Sequence, residues 1–365
     1  MKRFKLFGAI LVVLFSARGL LGQCTGALTV NVTGSSTGGR IATTITTQPT
    51  NQTAILGGTF TLRVGATGIN LTYQWKKNGV DIATNGTSAT YTKSLAMGRD
   101  AGVYTVVVHG DCGADVTSTG AIVILNGVSV QLKAFLEGPY KTADGLMLDA
   151  LTTRTPAFSS LIPTTEPFTN LGLTLTGFTH RGGGGNETTT QAVLQVTGNE
   201  AIVDWVFIEL RAKTNPTTVL YTRSALIQRD GDIVDMDGAS PVIFPTATND
   251  NYYIALKHRN HLGFRPLSSM PLSATPITLD FTNNSLTFYG SRPALKQLST
   301  RIYGLYAGDA NHNSLINSVD KNSFWRLQNG TKGYLHADFD LNGLVNAVDK
   351  NAFWLINNSV LQQLD

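Results

Sequence analysis

Apolar side chains fall at every second position of GTFTLRV (58–64): Phe60, Leu62 and Val64. The same period runs through LTYQWKKNG (71–79), with Leu71, Tyr73 and Trp75. It recurs in AGVYTVVV (101–108), where Tyr104 stands two residues before Val106. Such alternation predicts strands with one buried face. Further strands are predicted in VSVQLKAFLEG (128–138), AIVDWVFIELRA (201–212), TVLYTRSALIQRDG (218–231), DNYYIALKHRN (250–260) and ITLDFTN (277–283). Asn215-Pro216, Asp230-Gly231, Asp237-Gly238 and Asn283-Asn284 mark turns between them. No long stretch carries a 3.6-residue period. The pattern predicts a mostly β chain of tandem sandwiches, one over 23–126 and a Greek-key sandwich over 127–300.

The pattern changes after residue 300. GDANHNSLINSVDKNSFW (308–325) returns 29 residues later as ADFDLNGLVNAVDKNAFW (337–354), with ten of eighteen positions identical. Counted from the first Asp, positions 1, 3, 5 and 12 are Asp309, Asn311, Asn313 and Asp320, then Asp338, Asp340, Asn342 and Asp349. Position 7, Leu315 or Leu344, needs only its carbonyl. Position 9, Asn317 or Asn346, is suited to act through water. Position 8 is apolar, Ile316 or Val345, and is expected to point inward. Oxygen donors at this spacing suit a hard cation taking six to eight oxygens at about 2.3–2.6 Å, which is calcium. The near absence of sulfur and imidazole in the repeats argues against zinc or copper. Two calcium sites are therefore expected. The first carries two carboxylates and the second three, so the first should be weaker. Position 6 must turn sharply, which suits Gly343 better than Ser314. Val319, Phe324 and Leu327, repeated as Val348, Phe353 and Ile356, predict short helices packed through equivalent faces.

The doublet resembles a dockerin over roughly residues 301–360, which implies a small helical module over 301–365. The resemblance also implies a cohesin-like partner met near Ser318-Val319 and Ala347-Val348. A module that only packs on the rest of the chain stays open beside that. The strand order around Trp75 and Tyr104 resembles an immunoglobulin-like sandwich, with Val64 and Val106 where inter-sheet cysteines would stand. Tyr73, Trp75 and Tyr104 are then expected in its core. The middle part resembles Greek-key domains of secreted bacterial surface proteins through FLEGPY (135–140), HRGGGGNETTT (180–190) and KHRNHLG (257–263).

Residues 1–22 have the basic start and short apolar run of a signal peptide, too short for a confident membrane span, with an uncleaved anchor as the alternative. A secreted or cell-surface protein follows, with no transmembrane span in the mature chain. The chain has 28 Lys and Arg against 24 Asp and Glu. Residues 1–22 hold four of the basic residues and no acid, so the remainder is formally neutral and carries no nucleic-acid footprint. Cys24 and Cys112 are expected to pair as a disulfide in an exported chain, with a lipidated Cys24 as the alternative.

These observations favour a non-enzymatic protein of adhesion, scaffolding or assembly that binds a surface protein or extracellular polysaccharide. The rival is an enzyme or subunit acting on extracellular polymer through the middle part. His258 and His261, three apart on a strand, are expected on opposite faces and unable to chelate together unless a bulge intervenes. RGGGGNE lacks the lysine and hydroxyl of a phosphate loop, and no HExxH or GxSxG motif occurs. An enzyme would need His258 or His180 beside two acids. Asp204, Glu209, Asp230, Asp232, Asp235 and Asp237 are the acids near in sequence. A polysaccharide surface would need exposed aromatics, for which Tyr252 or Tyr253 is nearest, only one of them on either face.

Overall fold

The computed structural model describes residues 41–153, 159–174, 177–283, 285–290, 293–362 and 364. The expected signal peptide and Cys24 lie outside these residues. The chain forms two compact units, and among the described residues no helix is long and apolar enough to cross a membrane.

The first unit comprises residues up to Asn51, Thr61–Thr92 and Val103–Ile122. Strand Thr72–Lys77 pairs antiparallel with Gly102–His109, placing Trp75 opposite Val106. Thr44–Thr47 pairs with Gly65–Thr67, and Val107 pairs with Thr117. Alternation sends Trp75, Tyr104, Val106 and Val108 into the core, all at most 1% exposed. Trp75 Nε1 donates to the Ser88 carbonyl (2.8 Å), so its polar edge is satisfied where the ring is dry. Tyr91 packs between the two predicted aromatics, 6.2 Å from Trp75 and 5.7 Å from Tyr104, ring centre to ring centre. Val64 and Val106 are both buried, so apolar packing fills the cysteine positions of the family pattern. Tyr73 departs from expectation and is only half-buried. Cys112 is buried in the hairpin that follows His109, and Thr43 donates to its carbonyl through Oγ1 (2.9 Å).

The second unit comprises Gln52–Phe60, Lys93–Gly102 and Val123–Asp365. It centres on one eight-stranded mixed sheet rather than two separate sheets. The path runs Val242–Phe244, Val128–Lys133, Asp232–Val234, Val219–Gln228, Ile202–Ala212, Asp250–Lys257, Met270–Leu272. Ile277–Asp280 adds to Val128–Lys133 in parallel. All five strands expected here belong to this sheet. Ile202–Ala212 is its spine: ten of its eleven residues are buried, because both faces are covered. One cover is aromatic, with Phe207 against Phe168 (5.3 Å) and Phe178 (5.4 Å). A strand buried on both faces loses the alternation that marks a half-exposed one, which explains the near-continuous apolar run in AIVDWVFIEL.

Within this unit the C-terminal repeats pack on the sheet. Leu341 belongs to the same apolar core as Trp205 and Leu256. A second cluster joins Leu262 to Ile316, Phe339, Val345 and Trp354.

Candidate metal centres

Each repeat folds as a loop followed by a short helix. The helices begin with wide π turns, Asp320–Trp325 and Asp349–Trp354, continuing as Arg326–Gln328 and Leu355–Asn357. Ligand by ligand, the two loops carry the same hydrogen bonds. Asp338 Oδ2 accepts from Gly343 N (2.9 Å) as Asp309 Oδ2 accepts from Ser314 N (3.2 Å). Asp349 accepts from Asn346 N (2.8 Å) and Asp340 N (3.3 Å). Asp320 accepts from the equivalent Asn317 N (2.8 Å) and Asn311 N (3.2 Å). Asn342 and Asn313 accept from Leu344 N (2.8 Å) and Leu315 N (3.0 Å). Position 6 is left-handed in both loops, with φ of 70° at Ser314 and 82° at Gly343. Asn317 and Asn346 accept from Val319 N and Val348 N (2.7 Å each), and donate to the position-7 carbonyls of Leu315 and Leu344 (3.2 Å each). They cap the helices.

The repeats clasp each other reciprocally. Trp325 Nε1 donates to Asn346 O, and Trp354 Nε1 to Asn317 O, each at 2.7 Å. Lys321 lies over the Trp354 ring and Lys350 over the Trp325 ring. Val345 N donates to Thr331 O (3.1 Å) and Ile316 N to Val360 O (3.0 Å), so the chain leaving each helix backs the other loop. Ile316 and Val345 are fully buried, as position 8 was expected to be. The outer helix face is a correction. Phe324 and Phe353 pack as expected, joined by Trp325 and Trp354, whereas Val319, Leu327, Val348 and Ile356 are exposed (43–74%).

The loops gather buried carboxylates. Oxygens of Asp338, Asp340 and Asp349 lie within 4.8 Å of one another. Asp309, Asp320, Asp338 and Asp349 are at most 2% exposed. Burial, followed by the charges of Asp349 and Asp338, pushes Asp340 up to about 7. Burial and the charge of Asp320 do the same to Asp309. Burial raises Asp349 to about 6 and also raises Asp338 and Asp320. Asp309 Oδ1 is buried without a hydrogen-bond partner. Buried carboxylates held this close call for a cation or a proton, and this all-oxygen donor set fits calcium.

A polar network fastens the second loop to the sheet. Asp204, fully buried, accepts from Arg259 Nε (2.8 Å), Tyr334 Oη (2.5 Å) and His258 Nε2 (3.2 Å). Burial alone would raise its carboxyl, but the Arg259 charge and the His258 and Tyr334 contacts hold it at about 2. Arg259 Nη1 donates to Leu335 O (2.5 Å), and Asn260 Nδ2 to Asp338 O (2.7 Å).

His258 and His261 correct another expectation. The strand ends at Lys257, the chain turns, and the two Nδ1 atoms come within 3.0 Å. Every ring nitrogen is engaged: His261 Nδ1 also meets Asn260 Oδ1 (2.8 Å), and His261 Nε2 accepts from Gly138 N (3.3 Å). Burial lowers both histidines, and for His258 the contact with Asp204 works against it. Asp204 is the one acid paired with His258, and Arg259 already neutralises it. Of the other acids near in sequence, Glu209 pairs with Arg211 and Lys257, and Asp235 with Arg223. His180 does come beside two acids, but these are Glu166 and Glu187. They stand 14 residues before and 7 after it, on the approach to one helix and beyond a glycine run, where no spacing rule links them. Tyr252 is buried and Tyr253 half-buried beneath Arg265, so neither forms an open sugar platform.

No family model and no curated relative matches this chain. Similar solved structures include Rst D1-D2 (18% identity, TM-score 0.22), covering 25% of this chain and 52% of that one. Duf (Kirre) D1 is 17% identical with a TM-score of 0.21, covering 23% of this chain and 96% of that one. The complex of titin M10 with the obscurin-like 1 Ig domain is 18% identical with a TM-score of 0.21, over 23% and 94%. The chain thus spans about half the length of the Rst structure, and each likeness touches about a quarter of this chain.

Proposed function

We propose that the chain is a secreted or cell-surface modular protein of binding, adhesion or scaffolding whose C-terminal residues form a two-site, calcium-dependent, dockerin-like module. The observation that carries this reading is the recurrence of the same side-chain-to-backbone bonds around buried carboxylates at a 29-residue offset. Asp309, Asn311, Asn313, the Leu315 carbonyl and Asp320 supply the first set of donors. Asp338, Asp340, Asn342, the Leu344 carbonyl and Asp349 supply the second. Bound calcium removes the repulsion among these acids and locks the two helices together. Because Asn260 and Arg259 grip the second loop, the ions also fasten the C-terminus to the sheet. The outward strip of Val319, Leu327, Val348 and Ile356 is the face available to a protein partner.

The test is calorimetric titration of the chelator-treated full chain. Two equivalents of calcium should bind and raise Tm, and Asp309→Ala with Asp338→Ala should abolish both effects. No heat and no gain in helicity or Tm would sink the assignment. A pull-down from cell envelope with and without calcium tests the partner, and intact mass tests the Cys24–Cys112 bond.

A further inference from the structure

Glu166, His180 and Glu187 form a second cluster, separate from the calcium-type loops. Their ligand atoms lie within 4.8 Å of one another, and both carboxylates are at least 95% buried. His180 Nε2 stands 3.4 Å from Glu166 Oε2. Two donors each about 2.0–2.1 Å from a tetrahedral ion stand about 3.3 Å apart, so this separation matches one edge of such a site.

Thr222 Oγ1 accepts from Arg181 N (2.9 Å) and lies 3.2 Å from Arg181 O and 3.3 Å from His180 Nδ1. The other ring nitrogen, His180 Nε2, is buried and has no hydrogen-bond partner. A metal-ligating histidine is likewise oriented through its far nitrogen by a second hydrogen bond.

Charge balance adds a third argument. Arg223 reaches both Glu187 (3.6 Å) and Asp235 (2.9 Å). The other nearby cation, Arg259, belongs to Asp204. Glu166, Glu187 and Asp235 therefore carry more negative charge than Arg223 offsets, an excess that a bound cation would reduce. Glu166 is oriented by Phe168 N (2.7 Å) and Thr169 N (3.0 Å), and Glu187 by Gly185 N (3.0 Å). Glu166 also lines a cavity of about 260 Å³ with Pro163, Asn170 and Tyr334.

We propose that Glu166, His180 and Glu187 bind a first-row divalent transition ion, with zinc the leading case, tying the glycine-rich run 182–185 to the start of the Phe168 helix. One imidazole with two carboxylates suits such an ion better than calcium, which takes oxygen alone.

The test uses the full chain, stripped with chelator and resupplied with saturating calcium. Titration with zinc chloride should give one tight equivalent that calcium does not displace and that raises Tm. His180→Ala and Glu187→Gln should each weaken zinc binding at least tenfold while leaving the calcium titration unchanged. Cobalt should give visible absorption in the wild-type chain, a readout that does not depend on the variants folding. Absence of a stoichiometric zinc equivalent overturns the proposal, as does zinc binding that calcium displaces or that both variants retain. An absence of visible cobalt absorption also overturns it.

Discussion

The loop at 309–320 and the loop at 338–349 follow one backbone plan with different chemistry. Both turn through a left-handed residue at position 6, yet one places Ser314 there and the other Gly343. Both bury the acids at positions 1 and 12. Only the second adds Asp340 at position 3, where the first has Asn311. The second is also gripped from outside, through Asn260 on Asp338 O and Arg259 on Leu335 O. The contact of the first loop with that segment includes a backbone bond, Gly308 N to Asn260 O (3.0 Å), which no side-chain change removes. A shared fold therefore does not mean equal sites. The second loop combines more charge with more external support, and it should dominate both affinity and stability.

The largest effect expected is from Asp338→Ala. It should remove the tighter calcium site and most of the calcium-dependent gain in Tm. At about a hundredfold excess over Kd, one bound ion contributes about 2.7 kcal/mol. Asp309→Ala should cost less, and calorimetry on the two variants separates the contributions. Equal losses would break the comparison.

Next comes Asn260→Ala, which leaves the Asp338 carbonyl without its donor at a cost of about 1–3 kcal/mol. Calcium should bind the second site more weakly and the first site almost as before. Loss of both sites alike would show that Asn260 acts on the unit as a whole.

A smaller effect distinguishes the turns. Ser314→Gly relieves a non-glycine residue in the left-handed region and should stabilise the apo chain by up to about 1 kcal/mol. Gly343→Ser should do the reverse and more, because a Cβ there would meet Leu161 Cδ1 at 2.8 Å. Thermal melts in chelator read both changes.

A further effect is confined to acid pH. Asp204 is held at about 2 in the folded chain, against about 3.9 when unfolded. A lowered carboxylate contributes stability that is fully present above about pH 4 and is lost as pH falls toward 2. Asp204→Asn should flatten that part of the stability profile measured in chelator, by an amount on the order of 2 kcal/mol. An unchanged slope would remove Asp204 from the anchor that steadies the second loop.

Local pattern was enough to read the strands and the loops. Trp75, Tyr104, Ile316 and Val345 are buried as their spacing implied, because strand alternation and a 12-residue loop are set by backbone geometry over a few residues. The helix reading held for Phe324 and Phe353, which pack inward, and failed for Val319 and Leu327, which are exposed. His258 and His261 escape the strand rule because the strand ends at Lys257.

The sequence by itself determined the β character, the doubled oxygen-donor loops and the inward position 8, because each depends on neighbours along the chain. Tertiary structure alone decided that Asp204, Arg259 and Asn260 clamp the second loop, and that Glu166 and Glu187 converge on His180. Those contacts join residues 78, 14 and 7 positions apart across a turn, a helix start and a glycine run. Chain spacing carries no record of such encounters; the burial and contacts of the folded state do.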